Sequence, residues 1–191
     1  MQLVVGLMVF GIALALTVEG AVGAGPWTVF HQGVADRVGL SIGTIVVITG
    51  VSILAILWLL NEPLGVGTIA NATVIGPVVD ATLWAIPDLD SIWARLPLIA
   101  IAPVVLGIGS SLYLGAGVGP GPRDGVMTAL SRRGVSTWVA RTGIEITALA
   151  VGWLLGGTVG LGTVWMAITT GPSVQFFLPW FRLDTNELPD A

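Results

Sequence analysis

The chain has 191 residues, of which 54% are hydrophobic and only 9% are charged, and its mean hydropathy is +0.95. Soluble domains carry about 25% charged residues, so this composition excludes a soluble globular domain. The net charge is −4 and every basic residue is arginine, so nucleic acid is not a predicted partner. Without cysteine and with a single histidine, the chain is predicted to have no disulfide, no metal site and no other cofactor.

Six apolar stretches are long enough to cross a bilayer, which takes roughly 20 residues per helix. They are Leu3–Gly20, Ser41–Leu60, Gly67–Ile86, Leu96–Ala116, Thr137–Leu155 and Gly162–Phe181. The first stretch has no basic residues before it, so we expect a retained helix rather than a cleaved signal. The sequence therefore predicts one all-α membrane domain over residues 1–191, with the lipid bilayer as its main partner and a short acidic tail at 183–191.

Arginine is distributed unevenly between the two predicted sides of the membrane. The side of both termini carries Arg123, Arg132, Arg133, Arg141 and Arg182, whereas the opposite side carries Arg37 and Arg95. By the positive-inside rule, both termini are predicted in the cytoplasm, with the protein in the plasma membrane. An interfacial aromatic belt is predicted from the tryptophans near span ends, namely Trp27, Trp58, Trp84, Trp93, Trp138, Trp153 and Trp180.

The two halves of the chain repeat each other at a shift of 95 residues. Trp58-Leu59-Leu60 recurs as Trp153-Leu154-Leu155, and Gly76-Pro77 recurs as Gly171-Pro172. One inserted residue upstream aligns Gly25-Pro26 with Gly121-Pro122. Since each half holds three spans, an odd number, the second half must enter the membrane from the opposite side. We therefore predict two inverted three-helix repeats, residues 1–87 and 94–182, a plan shared by many secondary transporters and some channels.

The paired motifs resemble the YitT/YczE-type family of bacterial and archaeal multi-pass integral membrane proteins. They comprise Gly25-Pro26-Trp27-Thr28, Leu40-Ser41-Ile42-Gly43-Thr44, Gly65-Val66-Gly67-Thr68, Gly121-Pro122-Arg123-Asp124-Gly125, Ser131-Arg132-Arg133-Gly134 and Gly160-Leu161-Gly162-Thr163. Thr28 departs from the pattern, since an aspartate matching Asp124 is expected there. The resemblance implies a multi-pass plasma-membrane protein and names no substrate.

Two Gly-Pro pairs, Gly76-Pro77 and Gly171-Pro172, lie near the centres of the third and sixth spans. Proline removes a backbone donor, so each helix is predicted to kink or break there and to free carbonyl groups at membrane depth. Interruptions at corresponding positions of two inverted halves point to a substrate site. The alternative is a packing kink whose freed groups neighbouring helices satisfy.

Two further Gly-Pro pairs, Gly25-Pro26 and Gly121-Pro122, are predicted to open short helices. Unpaired N–H groups and the positive dipole end at such a start favour an anion, and Arg123 adds a planar donor fork. These residues are therefore candidates for binding a small anion or carboxylate. Alternatively, Asp124 caps its helix and pairs with Arg123, while the glycines allow close helix packing.

Ionisable side chains within spans usually face a cavity or a partner. Asp80, one turn after Pro77, is the candidate for a coupling or proton-binding carboxylate, with exposure at the span end as the alternative. Arg141 and Glu145 are four residues apart, so we expect a local ion pair. His31 is predicted to lie in a solvated loop without a role.

The preferred function is a transporter or channel for a small, unidentified solute, with a small anion or carboxylate as the candidate. The alternative is a membrane protein that does not transport but assists or regulates a partner protein. An enzyme is not predicted, because no nucleophile–base pair or ligand cluster is apparent. Assembly of several copies into a homo-oligomer stays open.

Overall fold

A computed structural model describes residues 1–87 and 89–183 of the chain, and all its regular elements are α-helices. In chain order they are α1 (Gln2–Gly20), α2 (Pro26–Val38), α3 (Ile42–Leu59), α4 (Val66–Ala85), α5 (Ile92–Gly115), α6 (Pro122–Arg132), α7 (Thr137–Leu154) and α8 (Leu161–Phe181). Of the predicted acidic tail, residues 184–191 lie outside the described residues.

The six longer helices coincide with the six apolar stretches predicted to cross the membrane. Five agree with the prediction to within a residue at each end, whereas α5 begins at Ile92 rather than Leu96. The short helices α2 and α6 occupy the two longest predicted connections. Pro26 and Pro122 are their first residues, where proline fits because the missing N–H would have no intrahelical partner.

The surface is that of a membrane protein. Helices α1, α3, α4 and α5 are each long and apolar enough to cross a bilayer. Large apolar side chains are exposed along the molecule, and most tryptophans of the predicted belt are among them, namely Trp58, Trp84, Trp93, Trp138, Trp153 and Trp180. Such a surface is stable in lipid and would aggregate in water. Trp27 is an exception and lies at an internal cavity described below.

Helices α1 and α5 form the centre of the molecule and run antiparallel. Gly6 lies against the backbone of Tyr113 at one end of the pair, and Gly20 lies against Ile99 at the other. Helix α4 packs on α1, and α8 packs on α5. The buried side chains between these helices form one apolar cluster, whose members include Leu7, Leu14, Val79, Leu106 and Met166. Small residues permit these close contacts, as in other membrane helices.

Helices α3 and α7 differ in how they pack. Helix α3 lies along α4, where a side chain at Gly43 would collide with the carbonyl oxygen of Gly76, and Gly50 lies against Ala72. Helix α7 packs instead on α2, where Gly152 meets the backbone of Phe30. Among the described residues, α7 and α8 share no comparable interface.

Neither proline within the predicted third and sixth spans breaks its helix. Helix α4 continues through Pro77, and α8 continues through Pro172. A break at either proline is therefore wrong, whereas a kink there stays a prediction. Gly76 serves as a contact point for α3, which is the packing alternative for this pair, whereas a side chain at Gly171 would meet nothing within 4 Å.

Close packing of α3 on α4 predicts different effects for two glycine-to-alanine substitutions. Gly43→Ala forces the α3 backbone away from Gly76, and overpacking of this kind costs about 1–3 kcal/mol. Gly143, within α7, has open space around it, so Gly143→Ala should preserve stability or raise it through helix propensity. Thermal unfolding of the detergent-purified variants measures both effects. Equal midpoints for the two variants would contradict the proposed α3–α4 packing.

Candidate functional site

A cavity of about 560 Å³ lies between the two halves of the chain and is lined by residues of α1 to α8. It brings together seven of the residues predicted as a site, namely Gly25, Pro26, Gly121, Pro122, Arg123, Asp124 and Gly171. The other four, Gly76, Pro77, Asp80 and Pro172, do not line it. The structure therefore brings the starts of α2 and α6 together at one cavity. Of the predicted site residues in α4 and α8, only Gly171 lies there with them.

The first turns of α2 and α6 face this cavity. Gly25 and Gly121 are their N-cap residues, both with extended backbone, and no side chain within the described part of the chain caps either start. Gly25 also leaves open space, since a side chain there would meet nothing within 4 Å. Unpaired N–H groups at a helix start need a partner, and each start carries a partial positive charge. Two such starts at one cavity favour an anion.

Arg123 joins the two short helices across the cavity. Its guanidinium carbon lies 4.6 Å from the centre of the Trp27 ring, a cation–π contact that fixes the side chain without neutralising it. The ion pairs found among the described residues join other groups and do not include Arg123. Burial lowers the pKa of Arg123 to about 10, so the side chain is still protonated at neutral pH. The cavity thus contains a cation whose donors remain available.

Asp124 lies beside this cation and receives a long hydrogen bond, 3.4 Å, from the Tyr113 hydroxyl. Burial raises the pKa of Asp124, while the positive charges of Arg123 and Arg141 partly oppose the shift. Asp124 is also the acidic residue in the first turn of α6, where the helix dipole favours negative charge. Its protonation state therefore controls how positive the cavity is.

His31 is a site residue that the sequence prediction missed. The prediction of a solvated loop is wrong, because His31 lies within α2, is only 1% exposed and lines the cavity. Neither ring nitrogen has a hydrogen-bond partner among the described residues. Burial lowers the pKa of His31 well below its usual range and Arg123 lowers it further, so the ring is neutral. The sequence did contain a signal that His31 belongs to the site. His31 lies four residues after Trp27, so a helix that starts at Pro26 places both side chains on one face.

Asp80 lies at the junction of α3 and α4, away from the cavity. Its carboxylate accepts hydrogen bonds from the Gly43 backbone N–H at 2.7 Å and from the Ser41 hydroxyl at 2.6 Å. Asp80 thereby caps the start of α3 from a neighbouring helix. This contact gives the carboxylate a structural role, and the acidic side chains that line the candidate site are Asp124 and Glu145.

Arg141 and Glu145 form the expected ion pair, with 3.1 Å between Nε and Oε1. Both line the cavity, on the α7 side. Half or more of the Arg141 side chain is exposed, whereas Glu145 is partly buried. The pair therefore lies at the rim rather than at the deep end beside His31.

Comparison with known proteins matches the chain to a family model and to relatives, one of which is described as a membrane protein. Residues 1–179 match a family model described as a family of unknown function, DUF6198. An uncharacterised protein of Haemophilus influenzae is 36% identical over 177 residues, which cover 92% of this chain and 81% of the relative. The uncharacterised membrane protein YczE of Bacillus subtilis is 32% identical over 177 residues, 91% of this chain and 82% of YczE. These matches confirm the YczE-type resemblance. No solved structure matches.

The Asp80 contacts predict a loss of stability without a loss of binding. Asp80→Ala removes both acceptors and should lower the free energy of unfolding by about 1–2 kcal/mol, as loss of a helix cap does. Asp80→Asn keeps one acceptor, so its free energy of unfolding should lie between those of Asp80→Ala and the parent chain. Thermal unfolding in detergent measures the effect. The interpretation of Asp80 as a helix cap is wrong if Asp80→Ala has the same unfolding midpoint as the parent chain and added anions no longer raise that midpoint.

Proposed function

The chain belongs to the DUF6198 family, and we propose that it is a transporter or channel for a small anionic solute in the plasma membrane. One observation carries the proposal: two helix starts and an arginine face the same cavity, and among the described residues no side chain caps either start and none forms an ion pair with the arginine. An ordinary structural arrangement would pair such groups with protein atoms. A ligand with negatively charged oxygens supplies what the cavity lacks.

Inverted repeats and six spans are part of this proposal. Each half has the helix order long, short, long, long. Trp27 and Arg123 occupy corresponding positions of the two halves and touch each other, as residues on a pseudo-twofold axis do. The ends of α3 and α7 are also held in the same way. Arg133 donates to the Leu60 carbonyl at 3.1 Å, and Arg37 donates to the Leu155 carbonyl at 3.3 Å.

The charges favour an anion over a cation. The deep end of the cavity is surrounded by Arg123 and by the starts of α2 and α6. Each of these two helix starts is equivalent to about half a positive charge. The carboxylate of Asp124 opposes them, and its raised pKa favours the neutral form. A carboxylate ligand could accept two parallel hydrogen bonds from Arg123 and one from the neutral His31 ring. That arrangement would satisfy the unpartnered groups together.

Alternating access would follow from the difference between the halves. Helices α3 and α4 are closely packed, whereas α7 and α8 are apart. In transporters with inverted repeats, movement of one repeat against the other shifts the opening from one face of the membrane to the other. We propose that rocking of one repeat against the other about the contact between Trp27 and Arg123 serves this purpose.

A protein that binds a partner instead of a solute is the competing function. It would use the same apolar helix surfaces, and it gives no reason for unpaired donors at an internal cavity. Co-purification of a partner in equal amount, with no response to any small anion, would favour it.

Removing Arg123 should abolish the response to anions. The probes are acetate, chloride, sulfate and inorganic phosphate, added to the detergent-purified protein while its thermal unfolding is followed. A bound anion stabilises the folded state by about 2.7 kcal/mol at a hundredfold excess over Kd. This stabilisation should be lost in Arg123→Ala and retained in Arg132→Gln, a control at an exposed arginine paired with Glu62.

Flux of the anion that stabilises the protein most is then measured in proteoliposomes. We expect flux with the parent chain and the Arg132→Gln control, and none with Arg123→Ala. Stabilisation by anions that survives in Arg123→Ala would contradict the proposed site, and binding without flux would contradict transport.

Asp124 predicts that anion binding depends on pH. Protonation removes the negative charge beside Arg123, so chloride should bind more tightly as pH falls through the raised pKa of Asp124. The neutral His31 ring does not contribute until lower pH, because its pKa is lowered. Asp124→Asn should bind chloride tightly at all pH values, whereas Glu145→Gln, a control at the rim, should keep the pH dependence. An Asp124→Asn protein that retains the parent's pH profile would contradict this role.

A further inference from the structure

The cavity opens sideways, between α7 and α8. Its lining contains buried, partly buried and exposed residues, and all the exposed ones belong to these two helices: Arg141, Ala167, Gly171 and Gln175. The backbone at Gly171 faces open space. The α1, α3, α4 and α5 parts of the lining are buried or partly buried. We call this opening the α7–α8 cleft.

The sequence of α7 prevents the cleft from closing as α3 closes on α4. Gly43 and Gly50 give α3 its close contacts with α4. At the shift of 95 residues, their counterparts in α7 are Trp138 and Glu145. An indole and a carboxylate at these positions exclude the backbone approach that two glycines allow. The opening therefore follows from the side chains of α7 and does not result only from the position of that helix.

The outer sides of the cleft are apolar. Trp138 and Ile146 of α7 are 75% and 60% exposed, and Ile168 and Phe176 of α8 are 65% and 60% exposed. In the proposed six-span arrangement these side chains contact lipid, so the α7–α8 cleft would face the acyl-chain region. Within it, the ion pair of Arg141 and Glu145 lies at the rim and Arg123 lies deeper.

The cavity volume exceeds the requirement of a simple anion. At about 560 Å³ it lies within the range of roughly 300–1,000 Å³ typical of pockets that hold drug-sized ligands. Its walls combine one charged end with many apolar side chains, among them Leu14, Val46, Ile75, Leu106 and Met166. A ligand that satisfies both parts has an anionic head and an apolar chain.

We infer that the α7–α8 cleft admits an amphipathic carboxylate sideways from the bilayer, with its head bound at Arg123 and His31 and its chain lying between α7 and α8. This inference rests on the proposed anion site and adds the class of ligand and its route. Ala167 and Gly171 leave room at the mouth beside Arg141 and Gln175, and the apolar lining deeper in the cavity can contact the chain. If the ligand were a water-soluble anion, the opening toward lipid would have no explanation. If a second copy of the chain covered the cleft, Arg123 and His31 would still lack a partner.

The test uses a twelve-carbon carboxylic acid with a diazirine near its methyl end, added to the full chain in phosphatidylcholine vesicles. Photolabelled residues are identified by mass spectrometry. We expect labels on cleft residues of α7 and α8, suppressed by unlabelled dodecanoate and not by dodecanol, which lacks the charge.

Two tryptophan substitutions on α8 form a matched pair. Gly171→Trp fills the mouth of the cleft, where nothing lies within 4 Å, and should reduce cleft labelling by about tenfold, the factor that corresponds to a tenfold weaker Kd. Ile168→Trp adds the same side chain on the lipid-facing side and should leave labelling unchanged. Both variants must keep the parent's thermal unfolding midpoint.

Three results would overturn the inference. Labels spread evenly over outward faces, or equal labelling of the two tryptophan variants, would show that the chain does not enter the cleft. A disulfide between two copies of Gly171→Cys in membranes would assign the cleft to a second copy of the protein. If the acetate response depends on Arg123 while cleft labelling fails, the proposed anion site stands and only the amphipathic ligand is wrong.

Discussion

The structure depends on one constraint, that two helices begin inside the protein. Backbone groups away from water need partners, and a helix start leaves up to four N–H groups without one. Proline at the first position of α2 and of α6 removes one of these groups, and no side chain of residues 1–87 or 89–183 caps either start. Both starts therefore depend on the cavity and on its contents. Arg123, held over Trp27, concentrates positive charge at the same place.

Small residues determine how close the surrounding helices come. Glycine lets α1 approach α5 and lets α3 approach α4. The cavity lies between the two halves, beside these close contacts. Where the second half has Trp138 and Glu145 in place of Gly43 and Gly50, the helices stay apart. Departures from the repeat are thus as informative as the matches. In the proposed repeat, these departures accompany an opening between α7 and α8 that has no counterpart between α3 and α4.

The long helices could be predicted from the sequence because the length of an apolar run is a local property. The starts of the short helices were also predictable, since Gly-Pro pairs at Gly25 and Gly121 are local signals. The surroundings of His31 were not, because they depend on α2 folding inward against α6 and α7. Asp80 shows the same limit: its position one turn after Pro77 is visible in the sequence, while its contact with the Gly43 N–H depends on packing. The interpretation of Pro77 as a break failed because neighbouring helices allow a helix to continue through proline.

An anion at the deep end of the cavity accounts for His31, Arg123 and both helix starts together. The most direct measurement of this claim uses a single cysteine, because the natural chain has none. Gly25→Cys points into open space with an ordinary backbone conformation, so it should fold. In membranes, a negatively charged methanethiosulfonate reagent should modify it faster than a positively charged one of similar size, and Arg123→Ala should remove this preference. Faster reaction with the positively charged reagent, or no reaction with either, would contradict an anion site at this cavity.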